Sequence, residues 1–193
     1  MMIAIIKYNA GNIGSVANAL DRLGIKGVVT GDHDIIRSAD KVIFPGVGEA
    51  SSTMKYLREC GLDKVIPSLT QPVLGICLGM QLMCSWSEEG DTQGLGVFKE
   101  KVVRFRGSVK VPHMGWNALD FTGGELYKGL ETGAYVYFVH SYYAESGPSA
   151  AATCDYGVRF SAALQRANFH AVQFHPEKSG PVGQQILKNF IEL

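Results

Sequence analysis

The chain lacks a basic surplus, a long apolar run and any close cysteine pair, and each absence removes a class of function. Lys plus Arg number 18 and Asp plus Glu number 18, for a formal net charge of zero. Phosphate backbones are bound through an excess or a stripe of positive charge, so nucleic acid is not an expected partner. The densest charge cluster, Lys99-Glu100-Lys101 with Arg104 and Arg106, reads as a solvated face. No apolar run approaches the ~20 residues of a membrane-crossing helix, so no membrane association is expected. The apolar start, Met1 to Lys7, has neither the charged n-region nor the long h-region of an export signal. The four cysteines, Cys60, Cys77, Cys84 and Cys154, show no CxxC spacing, which predicts reduced thiols and a cytoplasmic setting. Repeats, low-complexity segments and interdomain linkers are absent too, and 193 residues at 46% hydrophobic suit a single domain over 1–193.

What is present is an alternation of short β-branched runs with helical stretches. Strands are expected at 3–7, 26–30, 41–44 and 73–76, with helices at 15–23, 49–59 and 78–83. A turn is expected at Asn9-Ala10-Gly11-Asn12. The run Val73-Leu74-Gly75-Ile76 is apolar throughout, as for a strand covered on both faces. This βαβα order predicts an α/β fold, a mostly parallel central sheet flanked by helices. After Gly94 the pattern changes. Residues 96–98, 102–105 and 109–111 look like hairpin material and 135–143 like one long aromatic strand. Further strands are expected at 162–164 and 170–174, and a closing helix at 183–190. These predict a small additional antiparallel sheet.

The chemistry concentrates at Gly75-Ile76-Cys77-Leu78-Gly79-Met80-Gln81. A cysteine between glycines, where a buried strand becomes a helix, is the thiol counterpart of the nucleophile elbow. The following helix aims its first N–H groups, Leu78 foremost, at the sulfur and at any oxyanion formed beside it. A small buried core residue is the ordinary fate of a cysteine, and Cys60, Cys84 and Cys154 read that way. A thiol nucleophile needs a base, and the base needs an orienting group. His175 follows the apolar run Ala171-Val172 with Gln173-Phe174 and precedes Pro176-Glu177. Side chains two apart in an extended chain share a side, so Glu177 is expected beside His175. His140 ends an apolar strand and is the rival base, but it has no neighbouring carboxylate. His113 reads as a loop residue, and His33 as solvent-facing. Pro45-Gly46-Val47-Gly48-Glu49 joins a strand to a helix and can turn Val47 or Gly48 N–H inward as a second oxyanion donor. Neither this segment nor 9–14 carries a phosphate-loop pattern.

Pro45-Gly46-Val47-Gly48, Gly75 to Gln81 and Phe174-His175-Pro176-Glu177 together resemble the class I (triad) glutamine amidotransferases, whose fold is flavodoxin-like. The resemblance runs from the first strand to the last helix. It implies Cys77, His175 and Glu177 as catalytic triad. Gly48, Gln81, Glu89, Ser141 and Tyr142 become residues that hold glutamine, and no cofactor or metal is needed. Pro112-His113-Met114-Gly115-Trp116-Asn117 and Tyr137 to Tyr142 are similar to members that feed ammonia to a (β/α)8-barrel cyclase in histidine biosynthesis. That implies a heterodimer, with Met114 and Trp116 as an exposed loop anchor and Asn12, Asn117 and Lys178 also facing the cyclase. Glutaminases serving another acceptor, and cysteine hydrolases acting alone, are the alternatives.

Overall fold

The computed structural model describes residues 1–8, 12–121 and 123–193. The turn expected at 9–12 lies outside the described residues except for Asn12. In chain order the first half runs β1 (Ile3–Ile6), α1 (Ile13–Arg22), β2 (Gly27–Thr30), α2 (His33–Ser38), β3 (Lys41–Gly46), α3 (Ala50–Glu59), α4 (Leu62–Val65), β4 (Val73–Cys77) and α5 (Leu78–Met83). The second half is strand-rich: β5 (Trp86–Ser87), β6 (Thr92–Gln93), β7 (Lys101–Arg104), β8 (His113–Ala118), β9 (Asp120–Phe121), β10 (Tyr135–His140), β11 (Tyr142–Ala144), β12 (Ala150–Asp155), β13 (Arg159–Arg166) and β14 (Phe169–Val172). It closes with α6 (Gly180–Glu192).

Five strands in the order β2-β1-β3-β4-β14 are parallel, and the same sheet extends from β13 outward through mostly antiparallel pairs, β5 with β7 being parallel. The hairpin β8–β10 forms a separate two-stranded antiparallel sheet. The expected α/β architecture, a parallel sheet between helices with a small extra antiparallel sheet, is therefore present. Alternation along the strands assigns each side chain to one of two cores. Ala4, Ile6, Val42 and Phe44 face α2 to α5, where Ile36, Met54, Leu57 and Met80 meet them. Ile3, Ile5, Ile43, Leu74 and Ile76 face the other way, onto Val16 and Leu20 of α1 and Ile186 and Phe190 of α6. That two-sided cover is why these strands read as unbroken apolar runs. Among the described residues no helix is long and apolar enough to cross a membrane.

Several expectations fail after Gly94. Residues 96–98 and 109–111 form no strand. The aromatic run 135–143 is two strands, β10 and β11, which break at Ser141 and enter different sheets. Residues 113–116, read as loop, belong to strand β8, which pairs with β10, and β12 was not anticipated. Glycine at 115 and polar ends obscured β8, whereas its partner strand supplies the pairing. His33 is not solvent-facing: it opens α2, is half-buried, and its Nε2 lies 2.9 Å from the Cys60 carbonyl.

Candidate active site

Three adjacent parallel strands end side by side, with Gly46 of β3 opposite Cys77 of β4 and Val172 of β14 opposite Ile76. The carboxyl ends of such strands are where ligands bind in open α/β sheets. Cys77 is the last residue of β4 and the residue before α5, at φ 54° and ψ −110°. A non-glycine residue rarely holds positive φ, and doing so costs on the order of 1–3 kcal/mol unless the surroundings enforce it. The surroundings do enforce it. A Cβ on Gly79 would stand 2.0 Å from the Phe44 carbonyl oxygen, and one on Gly75 would stand 2.6 Å from the Met83 sulfur. The glycines thus let α5 close onto β3 and β4 behind the cysteine.

The base arrives from β14. His175 Nδ1 lies 2.8 Å from Glu177 Oε1, with both side chains almost wholly buried. The pairing was expected from an extended chain, but the geometry differs: Pro176–Lys178 is a 3-10 turn, and that turn carries Glu177 back under the ring. Asn12 adds a partner that sequence reasoning placed elsewhere. Its Nδ2 donates to Glu177 Oε1 at 2.5 Å and lies 3.5 Å from His175 Nδ1. Asn12 sits at the entry of α1 at φ 70°, which aims its side chain at the carboxylate rather than outward.

Burial works against a charge on His175, yet Cys77 and Glu177, through hydrogen bonding and charge, outweigh it and raise the imidazole to about 9. Glu177 is held low despite burial by its bonds to His175 and Asn12. His175 Nε2 is buried with no aligned hydrogen bond among the described residues, and the Cys77 thiol is the neighbour that favours its charged form alongside Glu177. His140, the rival base, is a different object. Burial lowers it to about 3, and its Nδ1 is 2.7 Å from the Tyr142 carbonyl. Its Nε2 faces His113 Nδ1 at 3.0 Å. His113 is buried in β8, not a loop residue, and burial lowers it to about 4.

Cys77 and His175 open onto a cavity of about 360 Å³ that Val47, Gly48, Leu78, Gln81, Glu89, Ser141 and Tyr142 also line. The residues singled out as nucleophile, base, oxyanion donors and substrate contacts are therefore gathered in one place. Gly48 holds φ 114°. Glu89 is half-buried and accepts from Ala50 N–H at the start of α3 at 2.8 Å. Burial raises its carboxyl, against that bond. Gln81 spends its amide on the Tyr142 carbonyl and on Gln173 Oε1, each at 2.9 Å. Gln173 was not singled out from the sequence, although a lone amide inside a wholly buried strand end was the available signal.

A family model described as glutamine amidotransferase class-I matches residues 5–193. The chain belongs to that family. Among relatives, imidazole glycerol phosphate synthase subunit HisH of Bacteroides fragilis strain YCH46 is 56% identical, covering 100% of both chains. The subunit of the same name from Escherichia coli K12 is 45% identical, again over 100% of both. A solved structure, PurLQS from Thermotoga maritima, shares the fold at TM-score 0.74 and 14% identity, covering 99% of this chain and 97% of that one.

The amidotransferase also presents an apolar outer face beside the site. Met114 and Trp116 on β8 and Tyr135 on β10 are exposed at 61%, 54% and 59%. Trp116 stands across from Tyr137 with their rings edge-to-face at 6.0 Å. These residues lie on a strand, where alternation puts them on one side, and not on the loop that was expected. Asn117, expected to share that face, points to the opposite one, donating to the Asp155 carbonyl at 3.0 Å. Lys178 is exposed, next to Glu177. The free thiols are Cys60, Cys77, Cys84 and Cys154.

Proposed function

We propose that this chain is the glutaminase subunit of imidazole glycerol phosphate synthase, acting over residues 1–193 as one catalytic domain. The observation that carries the reading is Cys77 on a strained elbow, sharing one cavity with His175, which a buried Glu177 holds from behind. Glutamine enters with its side-chain amide over the sulfur. Glu89, the carboxylate of the cavity wall, takes the α-ammonium, while Gly48, Gln81, Ser141 and Tyr142 position the rest. Cys77 Sγ attacks the amide carbon, and His175 holds the thiol proton. Leu78 N–H and a donor from Val47 or Gly48 stabilise the tetrahedral oxyanion. His175 passes its proton to the departing nitrogen, leaving ammonia and a γ-glutamyl thioester. Water, deprotonated by His175, then attacks the thioester and releases glutamate and the thiol.

Ammonia in bulk water protonates and is lost, so the product calls for a consumer docked at the exit. The Met114, Trp116 and Tyr135 face borders the triad, since His175 N–H donates to the Tyr137 carbonyl at 3.0 Å and Tyr137 N–H donates to Ser179 Oγ at 2.9 Å. A (β/α)8-barrel cyclase seated there, with Lys178 at the rim, forms a heterodimer and receives the ammonia without release to solvent. Joined, the two carry out a lyase reaction of histidine biosynthesis in the cytoplasm, yielding imidazole glycerol phosphate and an aminoimidazole carboxamide ribotide. Ammonia release from glutamine, measured with and without a barrel-type cyclase, tests this. Strong stimulation by the cyclase is expected; vigorous hydrolysis of peptides by the chain alone overturns it.

A further inference from the structure

The Cys77 sulfur has a neighbour that the triad does not account for. Gln173 is fully buried, and its Nε2 stands 3.7 Å from Cys77 Sγ, within reach of an N–H···S hydrogen bond. Two bonds fix which end of its amide faces the sulfur. The Tyr142 carbonyl can only accept, so the Gln81 atom 2.9 Å from it is the NH2. The same nitrogen faces Gln173 at 2.9 Å, so the Gln173 atom there is the oxygen. The other end of Gln173, the NH2, is therefore the one turned to the sulfur. Its main chain is anchored as well, with Gln173 N–H donating to the Ala162 carbonyl at 2.8 Å.

We propose that Gln173 is a positioning residue for the nucleophile, its side-chain amide holding the Cys77 sulfur in the attacking orientation and favouring its thiolate form. The proposal deepens the glutaminase reading and rests on it. The Val139 carbonyl also stands near the sulfur, at 4.0 Å. That oxygen can accept from a thiol but repels a thiolate. Cys77 is only 7% exposed, so water supplies little compensation. The Gln173 N–H supplies it, on a line fixed by Gln81. Because Gln81 also lines the substrate cavity, the wall that meets glutamine and the group that holds the sulfur form one rigid unit. A buried amide whose only task was to satisfy Gln81 would leave the thiol's behaviour unchanged on removal.

The test reads the thiol directly. Cys77 alkylation by iodoacetamide is followed across pH by peptide mass spectrometry in the full chain, for wild type, Gln173→Met and Gln173→Glu. Gln173→Met keeps volume and removes the donor. Gln173→Glu keeps an acceptor for Gln81 and replaces the donor with an acid, so it decides the matter should the first variant not fold. The alkylation midpoint is expected to rise by about one pH unit in Gln173→Met and further in Gln173→Glu. In the cyclase complex, kcat for ammonia release is expected to fall about tenfold or more with KM within about threefold, the mark of an interaction made at the reacting atom. Folded variants with the wild-type alkylation profile overturn the proposal. A wild type that alkylates but never releases ammonia from glutamine counts against the glutaminase reading and leaves the alkylation comparison to decide this one.

Discussion

Two histidines border the same cavity, and their surroundings drive them to opposite states. His175 sits between a carboxylate and a thiol, and despite burial is raised to about 9. His140 sits among Phe105, Phe138, Phe160 and His113, and burial leaves it neutral with a value of about 3. Both imidazoles are hydrogen-bonded, so bonding alone does not separate them. What separates them is whether the partner is an anion or a carbonyl. Proton-transfer competence is a property of the neighbourhood and not of the residue type.

The contrast is sharpest in activity. His175→Asn is expected to lower kcat for ammonia release by on the order of 10³-fold, while His140→Asn costs about tenfold or less, through loosened packing. Equal losses in both would erase the distinction. The pH dependence of folding should show it next. His175 is raised, so its contribution to stability is full below pH ~6.5 and is lost as pH climbs through about 9. His140 and His113 are lowered, so theirs is full above pH ~6.5 and is lost as pH falls through about 4 and then 3. Unfolding free energies from urea titrations are therefore expected to peak near pH ~6.5, declining by a few kcal/mol on the alkaline side and by more on the acid side, where two imidazoles contribute. Cys77→Ala should lessen the alkaline flank, Glu177 keeping part of it, and leave the acid flank unchanged; a variant losing both flanks would break the assignment. Smaller again is the effect of the outer face. Trp116→Ala is expected to weaken cyclase binding by about 30-fold, with the urea midpoint unchanged, as read by titration calorimetry.

The parallel half of the sheet was legible because two-sided burial writes itself as unbroken apolar runs, as in Val73 to Ile76. The elbow was legible because close packing at Gly75 and Gly79 admits no side chain. The antiparallel half was harder to read. Tyr135 to Tyr143 looks continuous in sequence, yet the chain changes sheets at Ser141, a choice made by pairing partners at least 17 residues away. The contact of Asn12, read only as a partner-facing residue, with Glu177 and the place of Gln173 in the site were not foreseen, for a similar reason. Each joins the triad through a contact spanning at least 96 positions, which no local pattern encodes. The pairing of His175 with Glu177 was found by the wrong route, an extended chain standing in for a 3-10 turn.

The clearance behind the elbow sets a limit on how this enzyme can be altered. With Gly79 against the Phe44 carbonyl and Gly75 against the Met83 sulfur, even one added methyl group has nowhere to go. New reactivity or a new substrate must therefore be engineered from the far wall, around Glu89, Ser141 and Tyr142, while the bend itself stays untouched.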